Sequence, residues 1–302
     1  MGQKRMKELY DNSERINIDD NSKIVILSDV HRGDGGYADS LIGNRNIYFA
    51  ALYYYYDNGY TLIEAGDGDE LWKNKGFMDI AYNYKGIFKM LCKFNKENRL
   101  HMIYGNHDER KSNKVFMEKE INKLKSIDDS FGKDFINIFG DIIFKEGVVL
   151  NYTPLEKEIF ILHGHQVDTM NYDFCILSRF LVRYVWRFLE GVAGFKAPTS
   201  PANNYKKGGK IDKKLEKWAE ENEKFIICGH THNSRFPKVG KTPYFNDGCC
   251  VLPYSISTLE ICDGKIKLVK WSTYVRKDTT LYIDRSIIAG PEKLESYLKY
   301  TN

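Results

Sequence analysis

The sequence predicts an α/β fold whose strands deliver metal-competent side chains to one place. Three observations lead there. Five short apolar runs rich in β-branched residues recur along the 302-residue chain, each about the length of a buried strand. Each run passes directly into a segment of Gly, Asp, Asn or His, which is where sheets covered by helices hold their ligands. Longer stretches of helical character separate the first runs, the alternation that covers a sheet with helices.

Residues 1–22 are polar and charged and read as an N-terminal extension with no secretion signal. Residues 23–28 form the first strand, and Asp29 and His31 follow it at i and i+2, so both point to one side of an extended segment. A helix is expected over 44–57. The second strand, 61–65, reaches Gly66, which lets the backbone turn sharply before Asp67. Beyond it, Asp69 reads as a solvated loop carboxylate, and Glu70 as a group that either supports a ligand from behind or stabilises the turn.

After a helix over 77–95, the strand 100–104 contains His101, read as a structural histidine, and leads into Gly105-Asn106-His107-Asp108. A charged helix is expected over 112–126. A strand-rich stretch is expected from Asn137 onward, ending with 158–162 ahead of His163-Gly164-His165. The fifth run, 224–228, precedes Gly229-His230-Thr231-His232.

Six of the seven histidines fall in four of these strand-end segments. With oxygen and nitrogen donors and no cysteine inside them, the chemistry favours Mn²⁺, Fe or Zn²⁺ over a thiolate-bound metal. The 42% hydrophobic content suffices for a sizeable core, and a net charge of +4 permits an anionic substrate without demanding nucleic acid. Cysteines 92, 175, 228, 249, 250 and 262 form no Cys-x-x-Cys pair and read as reduced thiols of a cytoplasmic protein. No stretch has the apolar length that spans a bilayer.

The ordered set Asp-x-His, Gly-Asp-x-x-Glu, Gly-Asn-His-Asp, His-Gly and Gly-His-x-His, spread over residues 29–232, resembles the calcineurin-like metallophosphoesterases. The resemblance extends over about residues 23–275, and by it 244–248 would be a closing turn followed by an edge hairpin with strands at 258–261 and 265–268. It implies a four-layer αββα sandwich of two mixed sheets flanked by helices, with a phosphoesterase domain at 23–276 and a C-terminal tail at 277–302. It also implies two divalent transition-metal ions, Mn²⁺ foremost, with Fe or Zn²⁺ as alternatives. Asp29, His31, Asp67 and His232 would hold one ion, and Asp67, Asn106, His163 and His230 the other, with Asp67 as the bridge. Such a pair activates a shared water for in-line attack on phosphorus. By the same resemblance His107 would act on the phosphoryl or leaving-group oxygen, oriented by Asp108. Arg32 and Arg110 are candidate phosphate clamps, and His165 is a candidate substrate or metal contact.

Between His163 and Gly229 lies an insertion, about 169–223, that reads as a helical cap. Its apolar stretch 174–190 carries Arg179, Arg183 and Arg187 as one stripe on a helix, and a charged helix is expected from about 211 to 222. Residues 170–217 hold ten Arg or Lys against four Asp or Glu. The cap is similar to that of the UDP-2,3-diacylglucosamine pyrophosphohydrolase branch, where it receives acyl chains. That branch commonly has Arg where His107 stands. The expected partner is therefore a phosphorylated small molecule or a lipid-linked substrate, with peripheral membrane contact through the cap. The basic insert admits a nuclease as an alternative, without a recognisable nucleic-acid motif to favour it. A non-catalytic scaffold of the same fold is the third class, opposed by the full set of ligand residues.

Overall fold

A computed structural model describes residues 2–36, 39–125, 130–139, 142–172, 179, 182, 205–299 and 301. Its strands are β1 (Glu14–Ile18), β2 (Ile24–Leu27), β3 (Thr61–Ala65), β4 (Leu100–Ile103), β5 (Gly147–Tyr152), β6 (Lys157–Leu162), β7 (Phe225–Cys228), β8 (Tyr244–Asn246), β9 (Ser255–Cys262), β10 (Lys265–Val275) and β11 (Leu281–Lys293). They form two mixed sheets, ordered β1-β5-β6-β7-β8 and β11-β10-β9-β2-β3-β4. The triplet β2, β3, β4 is parallel, and so is the triplet β6, β7, β8.

Strand side chains alternate between two faces, and here both faces are apolar. Ile24 and Ile26 of β2, Ile63 and Ala65 of β3, Ile159 and Ile161 of β6, and Phe225 and Ile227 of β7 meet in one buried layer between the sheets. The alternate residues of the second sheet, Val25, Leu27 and Leu62, pack on helices Arg45–Asp57, Phe77–Asn83 and Lys85–Lys96. On the far side, Phe160, Leu162, Ile226 and Cys228 pack against Met6 of helix Gly2–Asn12 and against Ile211, Leu215 and Trp218 of helix Tyr205–Glu221. Three apolar interfaces thus separate four layers, helix, sheet, sheet and helix. Each fully buried aliphatic side chain contributes about 1.5–3 kcal/mol to holding them together.

Several sequence expectations change. The polar stretch 1–22 contains helix Gly2–Asn12, and β1 pairs in parallel with β5, so this stretch supplies an edge strand and an outer helix. The stretch 277–302 contains β11, the antiparallel partner of β10. Asn137–Phe139, expected to open a strand-rich stretch, ends helix Ser130–Phe139, in which Phe135 and Phe139, one helical turn apart, stack at 4.4 Å. The charged helix expected from about 211 begins at Tyr205, and its apolar side is a layer of the sandwich. Of the arginine stripe, Arg183 and Arg187 lie outside the described residues. No helix among the described residues is long and apolar enough to cross a membrane.

Candidate metal centre

Both parallel triplets point their C-terminal ends at one region, and the chain leaving each strand carries the histidine and aspartate segments. The loops after β2 and β3 are zipped together by backbone hydrogen bonds: Asp29 N to Gly66 O at 3.0 Å, His31 N to Asp67 O at 2.9 Å and Arg32 N to Gly68 O at 3.1 Å. Asp29, His31, Asp67, His230 and His232 all have left-handed backbones, with φ between 50° and 65°. Such a conformation costs a non-glycine residue about 1–3 kcal/mol and persists where surrounding contacts enforce it. Two motif glycines permit the crowding. Gly66 has φ +96°, and a Cβ there would stand 2.6 Å from the His163 ring; at Gly105 it would stand 2.6 Å from the Asp67 amide nitrogen.

The predicted metal ligands converge in two groups. Asp29, His31 and His232 bring ligand atoms within 4.8 Å of one another, and so do Asp67, His163 and His230; a third such group among the described residues joins His31 to Glu70 and His107. Asp29 Oδ2 accepts hydrogen bonds from Ser28 Oγ and from the His230 amide, both at 2.7 Å. This leaves Oδ1 without a hydrogen bond, facing His232 Nε2 at 2.9 Å and His31 Nε2 at 3.6 Å. Asp67 Oδ1 accepts the His107 amide at 2.8 Å, while Oδ2 faces His163 Nε2 at 3.2 Å and His31 Nε2 at 3.8 Å. His163 Nδ1 lies 3.0 Å from the Ala65 carbonyl, which fixes a proton there and leaves Nε2 buried without a hydrogen bond. Asn106 Oδ1, in the same loop as His107, is also buried and without a hydrogen bond.

The charges are strongly coupled. Burial opposes ionisation of Asp29, yet His232 and His163 hold its carboxyl well below the usual range, and Asp67 is lowered likewise by His163 and His107. Burial would lower His31, but Asp29, Glu70 and Asp67 push it up to about 10; His163 is pushed up to about 9 by Asp67 and Asp29 against its burial. Burial and the neighbouring His163 and His230 hold His165 well below its ordinary value, so it is neutral. Buried carboxylates and imidazoles with unsatisfied atoms aimed at a common space fit divalent cations in chemistry and charge.

The remaining predicted residues divide. His107 is partly exposed, its ring stacked on Trp72 at 4.2 Å, and its Nδ1 lies 2.8 Å from Glu70 Oε1. Glu70 Oε2 also stands 3.3 Å from His31 Nδ1, so one buried carboxylate serves both rings. Asp108 does not orient His107 as expected. Its carboxylate turns back to accept the amides of Gly105 at 2.7 Å and Gly68 at 3.1 Å and pairs with Lys111 at 2.9 Å, stapling two loops. Arg32 is no phosphate clamp: it is fully buried, with its guanidinium spread across Glu64 and Asp69, both at 2.7 Å. Asp69 is correspondingly buried and also pairs with Lys111, the opposite of a solvated loop carboxylate. Arg110 and His165 line a cavity of about 590 Å³ together with Tyr104, Phe116, Tyr172 and Arg179. The His165 ring is 5.4 Å from that of His163. His101 sits within β4, paired opposite Ile63.

Three residues that sequence reasoning passed over support the site. Asp168 Oδ2 stands 3.3 Å from His230 Nε2, and its place just beyond His163-Gly164-His165 was the available signal. Asp212, on helix Tyr205–Glu221, accepts from Thr231 Oγ1 at 2.9 Å and Tyr244 Oη at 2.7 Å, pinning the residue between the two histidines. Lys111 neutralises Asp69 and Asp108 beneath the loops. Nothing in the local sequence marks the last two.

A family model described as calcineurin-like phosphoesterase matches residues 22–234. No curated protein matches the chain at a significant level. Among solved structures, Vps29 of Chaetomium thermophilum is similar over 89% of this chain and 96% of that one, at 9% sequence identity and a TM-score of 0.34.

Proposed function

The chain belongs to the calcineurin-like phosphoesterase family, and from that premise we propose that it is a dinuclear metal-dependent phosphohydrolase of a phosphate monoester, diester or pyrophosphate. One observation carries the reading. Asp29 Oδ1, Asn106 Oδ1, His31 Nε2 and His163 Nε2 are buried without hydrogen bonds in the loops that hold the groups Asp29, His31, His232 and Asp67, His163, His230. Each unsatisfied buried polar atom costs about 1–3 kcal/mol, a penalty that bound cations would remove. Asp29, His31, Asp67 and His232 would hold one ion and Asp67, Asn106, His163 and His230 the other, with Mn²⁺ favoured and Fe or Zn²⁺ as alternatives. When bound, the ions lower the pKa of a water and provide hydroxide for in-line attack on phosphorus.

The chain's own residues supply the rest. With Nδ1 committed to Glu70, His107 presents Nε2 to the leaving-group or phosphoryl oxygen, and the Glu70 carboxylate steadies the imidazolium that gives up the proton. Trp72 holds the ring in place by stacking. The cavity bordered by His165 is of a size for a modest organic group, and Glu109, Arg110 and Arg179 in its wall favour a polar leaving group over acyl chains. The described cysteines are free, four of them buried, which supports a reducing, cytoplasmic setting.

The test is turnover after chelation and reloading. p-Nitrophenyl phosphate, its bis ester, and a panel of nucleotides, sugar nucleotides and phospholipids are assayed with Mn²⁺, Fe²⁺ or Zn²⁺ restored. Hydrolysis that appears with metal and vanishes with chelator is expected. Equal inactivity of the chelated and reloaded protein on every ester would contradict the proposal.

A further inference from the structure

We propose that Asp168 is a positioning residue of the metal centre: its carboxylate takes the Nε2–H of His230 and so leaves Nδ1 as the lone pair that binds metal. The inference rests on the phosphohydrolase reading for its metal, and on geometry alone for the tautomer. Asp168 Oδ2 stands 3.3 Å from His230 Nε2, and both residues are almost fully buried. An ionised carboxylate only accepts hydrogen bonds, and a neutral imidazole has one N–H and one lone pair. Pairing therefore places the proton on Nε2 and frees Nδ1.

The neighbouring ligand of the same group uses the mirror arrangement. His163 gives its Nδ1–H to the Ala65 carbonyl at 3.0 Å and keeps Nε2 free. The two rings of this group would thus bind through opposite nitrogens, each chosen by its own acceptor. Asp168 stands outside the set whose ligand atoms come within 4.8 Å, which comprises Asp67, His163 and His230, so it orients a ligand and is not one itself.

The carboxylate is itself held in place. Asn171 Nδ2 donates to Asp168 Oδ2 at 2.9 Å, and the segment before it is tied by Arg5 to the Gln166 carbonyl at 2.8 Å and by Lys214 to the Val167 carbonyl at 3.2 Å. An acceptor so fixed sets both the tautomer and the ring plane of a ligand, and removing such a partner typically costs about 10–100-fold in metal affinity.

A purely structural role is the alternative, because Asp168 also begins the short helix Thr169–Tyr172. Two variants separate the roles. Asp168→Asn keeps an oxygen that reaches His230. Asp168→Ser keeps a helix-capping oxygen but is too short to reach the ring. Imidazole ¹⁵N spectra of the metal-free proteins at neutral pH, followed by metal titration, read the outcome. The wild type and Asp168→Asn should show His230 as the Nε2–H tautomer. Asp168→Ser should lose that preference and bind one of two ions roughly 10–100-fold more weakly while the other is unchanged. An Nδ1–H tautomer in the wild type would overturn the proposal, and so would Asp168→Ser behaving as wild type, or the two variants losing affinity equally. Metal-free spectra as expected in a wild type that takes up no ion would instead remove the phosphohydrolase reading and leave the tautomer assignment standing.

Discussion

His107 and Glu70 show how a residue's role follows from what its side chain can reach. His107 adjoins Asn106 in sequence and Asp108 follows it, yet the carboxylate within hydrogen-bond distance of its Nδ1 is Glu70, from the preceding strand's loop. The residue types of the site were legible because each histidine and aspartate directly follows an apolar run. Their partners were not, because whether a carboxylate faces forward like Glu70 or backward like Asp108 is decided by the packing of three loops. Arg32 teaches the same lesson: sequence position put it beside a ligand, and burial turned its guanidinium inward onto Glu64 and Asp69. His107→Ala is expected to keep both ions and lower kcat by roughly 10²–10⁴, the range for a positioned acid or base. The loss should be smaller for a p-nitrophenyl ester than for an alkyl ester, whose poor leaving group needs the proton. Loss of an ion, or full activity on alkyl esters, would contradict the assignment.

At the scale of elements, the loops after β2, β3 and β4 are locked from below by a fully buried cluster of Arg32, Glu64, Asp69, Lys111 and Asp108. Strands β2 and β3 were readable from their apolar runs, whereas this cluster was not, since Lys111 lies on a short turn after the motif and only tertiary packing brings it to Asp69. Helix Ser130–Phe139 was misread for a related reason: a short apolar run with aromatics suits a buried strand and a buried helix face alike. Lys111→Met should leave two buried carboxylates short of a partner and destabilise the fold by about 3–5 kcal/mol, the cost of breaking a buried pair. Thermal melts of the metal-free variant check this. An unchanged Tm would show that Arg32 alone satisfies the cluster.

Across the whole molecule, the four layers bring two parallel triplets of strand ends together; the α/β class was legible from the apolar runs, and the four-layer arrangement only from the family resemblance. The outer helix and edge strand at residues 2–18 were hidden by their polar composition, because an edge strand and a one-sided helix bury few residues, here Met6 and Ile18. The assembled site also couples stability to pH. His31 at about 10 and His163 at about 9 lie above their ordinary 6.5, so in the metal-free protein they stabilise the fold fully below pH 6.5. That contribution is lost as pH rises through 9 and 10. Metal ligation needs the same rings neutral, so apparent metal affinity should rise over the same window. Melts with chelator and titrations with Mn²⁺ across that range should therefore move in opposite directions. A parallel trend would show that the two histidines do not exchange protons for metal.

Whether Asp67 joins two ions in one centre is read by elemental analysis of metal-reconstituted protein beside its Asp67→Asn variant. Asp67 faces His163 at 3.2 Å and His31 at 3.8 Å, one ring from each group, so removing its charge should weaken both sites together. Two ions per chain are expected in the wild type, and loss of both in the variant at the same free-metal concentration. One ion or none in the wild type, or a variant that keeps one ion at undiminished affinity, would contradict the bridging role of Asp67.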